Sequence, residues 1–256
     1  MFHPVAASPM RPCGAVRAAW IPAITLLAAS LSTACRGTDA AGRVSRSGEA
    51  SVNPGINQSY EAEPDVETWI RRFESESREI FQQRHRIIAT LALVPGMTVA
   101  DIGAGTGFLT EILAGVVGPD GRVYAVDIKP EFVAHIRQRL DDEGVGNVTT
   151  VLCAADSVEL DPQSIDLAFT SDTYHHFEFP ISTLRSIYRA LRPGGHLVVV
   201  DFERIEGQSR PWVLDHVRAG KDTVISEIEL VGFEFIEEVP SDFLKENYIL
   251  RFRRPA

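Results

Sequence analysis

The sequence predicts an α/β fold: an open, doubly wound, mostly parallel sheet of seven strands, with helices on both faces and a helical N-terminal extension. Three observations predict it. Apolar runs alternate with amphipathic stretches from residue 97 to residue 202, the order of strands and crossover helices in a parallel sheet. One run, His196-Leu197-Val198-Val199-Val200, is almost continuously apolar, as a strand buried on both faces must be. A glycine-rich turn, Asp101-Ile102-Gly103-Ala104-Gly105-Thr106-Gly107, joins the first apolar run to the first amphipathic stretch. Glycine tolerates positive φ and lets backbone approach a ligand closely, and the following helix aims its free N–H groups into the turn.

The chain divides into three regions. Residues 1–35 are expected to be an export signal. Arg11 and Arg17 give a basic start, residues 18–31 an apolar stretch, and Ser32-Thr33-Ala34 small residues before Cys35. The apolar stretch falls short of the roughly 20 residues that span a bilayer. Small residues followed by cysteine resemble a bacterial lipoprotein signal, which implies a lipid tether at Cys35 and a place in the cell envelope. Ser32 stands where that pattern usually has leucine. A membrane anchor that is not cleaved, or an over-extended start and a cytoplasmic protein, is the alternative. Residues 36–63 are rich in Gly, Ser and Ala with no apolar period, so a flexible linker is expected. Residues 64–256 form the folded domain.

Within the domain, Trp69, Phe73, Ile80, Phe81, Ile87, Ile88 and Leu91 recur at helical spacing over residues 64–93, with Ser75 or Ser77 placed to restart the helix. Pro95-Gly96 ends that region. Strands are expected at 97–102, 122–128, 148–153, 164–171 and 196–202, with helices at 107–117, 130–143 and 180–191 between them. Pro130 suits the first turn of its helix, and Arg192-Pro193-Gly194-Gly195 closes the last one. A short helix at 223–231 stops at Gly232, and two strand patterns, 233–239 and 247–254, are close enough to pair as an antiparallel ribbon at the sheet edge.

The turn and strand ends carry a family resemblance. Asp101-Ile-Gly103-Ala-Gly105-Thr-Gly107 is similar to the first motif of the class I S-adenosylmethionine-dependent methyltransferases, a Rossmann-like family. The nicotinamide fingerprint places its third glycine three residues after the second. Here Gly107 follows Gly105 by two, which disfavours a nicotinamide-dependent reductase. The strand ending at Asp127, the strand and loop Val151-Leu-Cys153-Ala-Ala-Asp156-Ser157, the strand and loop 166–177, and Leu191-Arg-Pro-Gly-Gly leading to Asp201 resemble the family's later motifs in order. The resemblance implies S-adenosylmethionine as methyl donor. Gly103, Gly105 and Gly107, with Asp101, would take its methionine end. Asp127, with Ile128 beside it, would take the ribose hydroxyls, because an ionised carboxylate only accepts hydrogen bonds. Asp156, with Ser157, would take the adenine amino group, and Asp172 would complete the site. A non-catalytic binding module on the same fold is the remaining alternative. It is motivated by the export signal, since the donor is made in the cytosol.

Ligands of open α/β sheets sit outside the carboxyl ends of the strands, so the acceptor is expected at Asp172-Thr-Tyr174-His175-His176-Phe177. His175 or His176, with an ordinary pKa of ~6.5, is the candidate catalytic base. No metal is expected there: adjacent side chains diverge and no third ligand is evident. His216, Arg218 and Lys221 either bind an anionic acceptor or solvate a helix end. The three cysteines, Cys13, Cys35 and Cys153, form no CxxC pair, and Cys153 is expected to be a buried small hydrophobe rather than part of a thiol-rich site. The formal net charge of −10, or −12 once the two arginines of residues 1–34 are removed, argues against nucleic acid as a partner and leaves a small-molecule acceptor. Oligomeric state is not encoded in any feature of the chain.

Overall fold

The computed structural model describes residues 43–62, 65–75 and 78–256. The expected signal, with Cys35, lies outside the described residues. Among them no helix is long and apolar enough to cross a membrane.

Seven strands form one sheet: β1 Thr98–Ile102, β2 Arg122–Asp127, β3 Val148–Leu152, β4 Ile165–Ser171, β5 Leu191–Phe202, β6 Glu234–Glu238 and β7 Asn247–Arg253. Their order is β3-β2-β1-β4-β5-β7-β6. The first five pair in parallel, while β7 runs antiparallel between β5 and β6. The order reverses between β1 and β4, and the crevice outside that switch point is where such sheets bind ligands. The helices are α1 Gln58–Ala62, α2 Val66–Phe73, α3 Glu79–Gln82, α4 Arg84–Thr90, α5 Phe108–Val117, α6 Pro130–Glu143, α7 Pro180–Ala190, α8 Pro211–His216 and α9 Lys221–Leu230, with a 3-10 turn at Tyr174–His176.

Strand alternation divides the core between the two faces of the sheet. Val99, Leu167, Phe169, Val198 and Val200 join Ile87, Ile88, Leu109 and Leu113 of α4 and α5. Ala100, Ile102, Ala168, Leu197 and Val199 join Leu184, Ile187, Val224 and Ile228 of α7 and α9. The central strands therefore bury side chains on both faces, as the His196–Val200 run demands.

Three expectations change. Residues 191–195 are strand rather than a closing turn: Leu191 pairs with Ile165, and the Pro-Gly-Gly stretch is taken up by a register shift before Leu167 meets His196. Residues 64–93 hold three short helices. Asp65 caps α2 by accepting the Glu67 N–H, and α3 begins after Arg78 without any side-chain cap.

The third change concerns the expected linker, whose described part, 43–62, packs on the domain. The Val52 N–H donates to Glu178 O (3.0 Å). The Glu49 carboxylate accepts the N–H groups of Ile181 and Ser182 (3.0 and 2.6 Å) in the first turn of α7, which has no side-chain cap of its own. Polar contacts to distant residues, together with the packing of the Tyr60 ring, hold the segment down without an apolar period.

Candidate active site

The glycine turn leaves β1 at the switch point. The N–H groups of Gly103 and Ala104 both donate to Val126 O on β2 (2.8 and 3.1 Å), which clamps the turn between strands. Gly103, Gly105 and Gly107 all have positive φ (75°, 58° and 86°). At Gly103 a Cβ would lie 2.2 Å from the Thr173 methyl, so only glycine fits. Asp127, at the end of β2, accepts the N–H groups of Gly105 and Lys129, each at 2.8 Å. Burial nevertheless pushes its carboxyl up to about 6. Asp101 is buried deeper in the turn, where the Thr110 hydroxyl donates to it (2.6 Å), and burial pushes it up to about 7.

A cavity of about 1080 Å³ opens from this turn and ends at the loop after β4. Asp101, Gly103, Gly105, Asp127, Ile128 and Ser157 line its donor half, and Asp172, His175 and His176 its far half. Two expected residues stand elsewhere. Gly107 caps the N-terminus of α5, where an added Cβ would meet Ile136 at 2.9 Å. Asp156 faces away from the cavity. Its oxygens accept the backbone N–H (2.6 Å) and Nε–H (3.0 Å) of Arg46, 110 residues earlier in the chain. The expected adenine contact at Asp156 is thus taken by the folded N-terminal segment, while its neighbours Ala154, Ala155 and Ser157 stay on the cavity wall.

Asp172 adopts positive φ (49°) and is held by Arg78 (2.5 Å) and the Asn247 amide (2.7 Å). Burial raises its carboxyl pKa, and the Arg78 charge opposes that rise. His175 is 3% exposed. Asp201, at the end of β5, accepts from His175 N (3.0 Å) and lies 2.7 Å from Nδ1, fixing the ring. Burial pulls the His175 pKa down, but the Asp201 charge and hydrogen bond outweigh it and leave the group above its ordinary value. His176 behaves oppositely: burial, then the charges of His175 and His216, push it down to about 2. Of the two candidate bases, His175 has the basicity.

His216, at the end of α8, stands against both: its Nε2 is 3.3 Å from His176 Nε2. Neither α8 nor this meeting was expected. The sequence signal was only a lone histidine in a basic cluster. The rest of that cluster is engaged elsewhere, Arg218 with Glu227 (2.7 and 2.8 Å) and Lys221 with Glu203 and Glu238 (2.8 Å each), so it presents no free basic patch to an anion. An aromatic wall was also missed. Tyr60 stacks on Trp69 (4.6 Å between centroids), with Phe73 and Phe132 beside them, and Tyr60 Oη is 3.3 Å from His176 Nε2. Cys153, half-buried, lines the cavity as a free thiol, and burial pushes its pKa up to about 12, which disfavours the thiolate.

Comparison with known proteins identifies the family. Residues 93–239 match the family model described as a methyltransferase domain. A ubiquinone/menaquinone biosynthesis C-methyltransferase of Hydrogenovibrio crunogenus is 36% identical over 124 residues, 48% of each chain. An arsenite methyltransferase of Halobacterium salinarum is 30% identical over 162 residues, 60% of this chain and 41% of the relative. The chain spans about half the length of the curated relatives it matches. Among solved structures, a SAM-dependent methyltransferase from Aquifex aeolicus superposes with a TM-score of 0.66 at 25% identity, over 74% of this chain and 98% of the other. With the glycine turn, the reversed β7 and the family match over residues 93–239, the chain belongs to the class I S-adenosylmethionine-dependent methyltransferases.

Proposed function

We propose that this protein transfers a methyl group from S-adenosylmethionine to a small-molecule acceptor bound beside His175, His176 and His216. The observation that carries the reading is one continuous cavity, with a glycine turn and buried acceptor carboxylate at one end and a histidine cluster at the other. The residues present fit the donor. Gly103 and Gly105 leave the backbone open, and Asp127, steered by two backbone N–H groups, offers lone pairs to a diol. Asp101, Gly103 and Gly105 hold the methionine end, Asp127 and Ile128 the ribose, and Ser157 the edge of the adenine.

The donor supplies an electrophilic methyl on a sulfonium, and transfer is an in-line displacement, so the protein chiefly positions the two reactants. The aromatic wall of Tyr60, Trp69, Phe73 and Phe132 excludes water and suits a flat, largely apolar acceptor. The histidine cluster removes the acceptor's proton, with Asp201 bracing His175. The curated relatives are named for acceptors of different chemistry, a quinone precursor and arsenite; a lone Cys153 among the described residues favours the former class.

A calorimetric titration with S-adenosylmethionine tests the core of the reading. Saturable binding that Asp127→Ala weakens at least tenfold supports it, and no binding at millimolar donor overturns it. Release of S-adenosylhomocysteine with a panel of phenolic and quinol acceptors then tests transfer. Envelope localisation with a lipid tether at Cys35 is part of the proposal, supported by the basic, apolar and small-residue order of residues 1–35. Labelled fatty acid should enter the protein and be lost in Cys35→Ala; a soluble, unlabelled chain overturns that part.

A further inference from the structure

We propose that His175, His176 and His216 form a binding site for a divalent transition metal, with zinc as its natural occupant, at the acceptor end of the cavity. One ring nitrogen of each lies within 4.8 Å of the other two. The Nε2 atoms of His176 and His216 are 3.3 Å apart, close to the separation of about 3.3 Å that two nitrogens have on a tetrahedral zinc with Zn–N of roughly 2.0–2.1 Å. Asp201 lies 2.7 Å from His175 Nδ1. That contact places the proton on Nδ1 and turns the lone pair of Nε2 free, the carboxylate–histidine arrangement that orients metal-bound imidazole. Trp212 stacks on His216 (4.8 Å, 23°) and Phe202 packs against His175, so both rings are held in place.

Neutral imidazole is the form that ligates metal. His176 Nε2 meets both the Nε2 of His216 and the Oη of Tyr60, each at 3.3 Å, while its Nδ1 is buried without a hydrogen-bond partner among the described residues. Three histidines suit zinc and its neighbours rather than calcium or magnesium, which prefer oxygen. With three protein ligands, a fourth position is left for the acceptor, as in catalytic rather than structural zinc sites.

The inference rests on the proposed methyl transfer only for the purpose of the site. A cation there would lower the pKa of an acceptor hydroxyl or enol, so that with the metal bound the three imidazoles serve as ligands and the acceptor's proton passes to solvent instead of to a histidine. The new bond forms between the acceptor anion and the methyl carbon, and the carbon–sulfur bond breaks with its electron pair on sulfur, giving neutral S-adenosylhomocysteine.

Titration of the full chain with Co²⁺ as a spectroscopic probe, competed by Zn²⁺, tests the site without any turnover. The expected result is one equivalent of Co²⁺ with the strong visible absorption of tetrahedral coordination, bleached by Zn²⁺. His216→Ala should lose the absorption and weaken Co²⁺ at least tenfold, while the exposed His85→Ala leaves it intact. Asp201→Asn, as a positioning change, should weaken the metal by about 10–100-fold. Absence of tetrahedral absorption in the parent protein, or its persistence in His216→Ala, overturns the inference. Donor binding measured on the same samples reports separately on the fold and on the methyltransferase reading.

Discussion

At the scale of single residues, the donor half of the cavity depends on a carboxylate in an unfavourable place. Asp127 is almost fully buried, and its pKa of about 6 means that it is ionised at neutral pH but not much below. A diol needs the ionised acceptor. The sign follows: donor affinity is steady above pH 7 and falls about tenfold per unit once the pH drops below about 6. Calorimetry at pH 7.5 and 5.0 should give about a tenfold difference, and Asp127→Asn should flatten the profile while lowering affinity throughout. His175 and His176 show how far neighbours can separate identical side chains. One is braced by Asp201 and raised, the other is surrounded by imidazoles and lowered to about 2. No reading of the His-His pair alone distinguishes them.

At the scale of elements, the turn from β1 to α5 and the segment 43–62 carry different kinds of dependence. The turn is fixed by sterics. Gly103→Ala must hold a left-handed φ, costing about 1–2 kcal/mol, and its methyl meets Thr173 at 2.2 Å besides. Urea unfolding should show a loss greater than the backbone cost alone, with donor binding lowered in the same variant because Thr173 must move. The segment is fixed by polar contacts. Glu49 serves as a cap for α7 from 132 residues away. Glu49→Ala should therefore cost about 1–2 kcal/mol in thermal or urea unfolding, the value of a charged hydrogen-bonding cap, and should expose residues 43–62 to limited proteolysis. A freely tethered segment would show neither effect. The glycine turn was legible from sequence because Gly spacing is a local signal. The cap was not, since a glutamate in a polar stretch looks the same whether or not it meets a helix start.

At the scale of the whole molecule, the sheet is the scaffold that brings the two halves of the cavity together. Phe169 in β4 is fully buried next to the switch point, packed with Val99, Leu113 and Val198. Phe169→Ala should cost about 3–5 kcal/mol in urea unfolding, since a large cavity opens where neighbours on three strands cannot close it. The β5–β7 pairing has a second consequence: Asn247, at the start of β7, reaches Asp172 at the end of β4, so the last strand helps to set the acceptor loop.

The sequence by itself determined the seven strands, the parallel order that a βαβ alternation imposes, the antiparallel final pair, the glycine turn and the family. All of these rest on local signals: periodicity, turn residues and short motifs whose spacing is set by backbone geometry. The tertiary structure alone decided what meets what. It placed Arg46 on Asp156, Glu49 on α7, Tyr60 on His176 and His216 against His175 and His176. Each of these joins residues separated by forty or more positions, and side-chain polarity carries no record of a partner so far along the chain. The third histidine is the clearest case. In the sequence it stands with Arg218 and Lys221, and in the fold those two turn to glutamates while the imidazole turns inward.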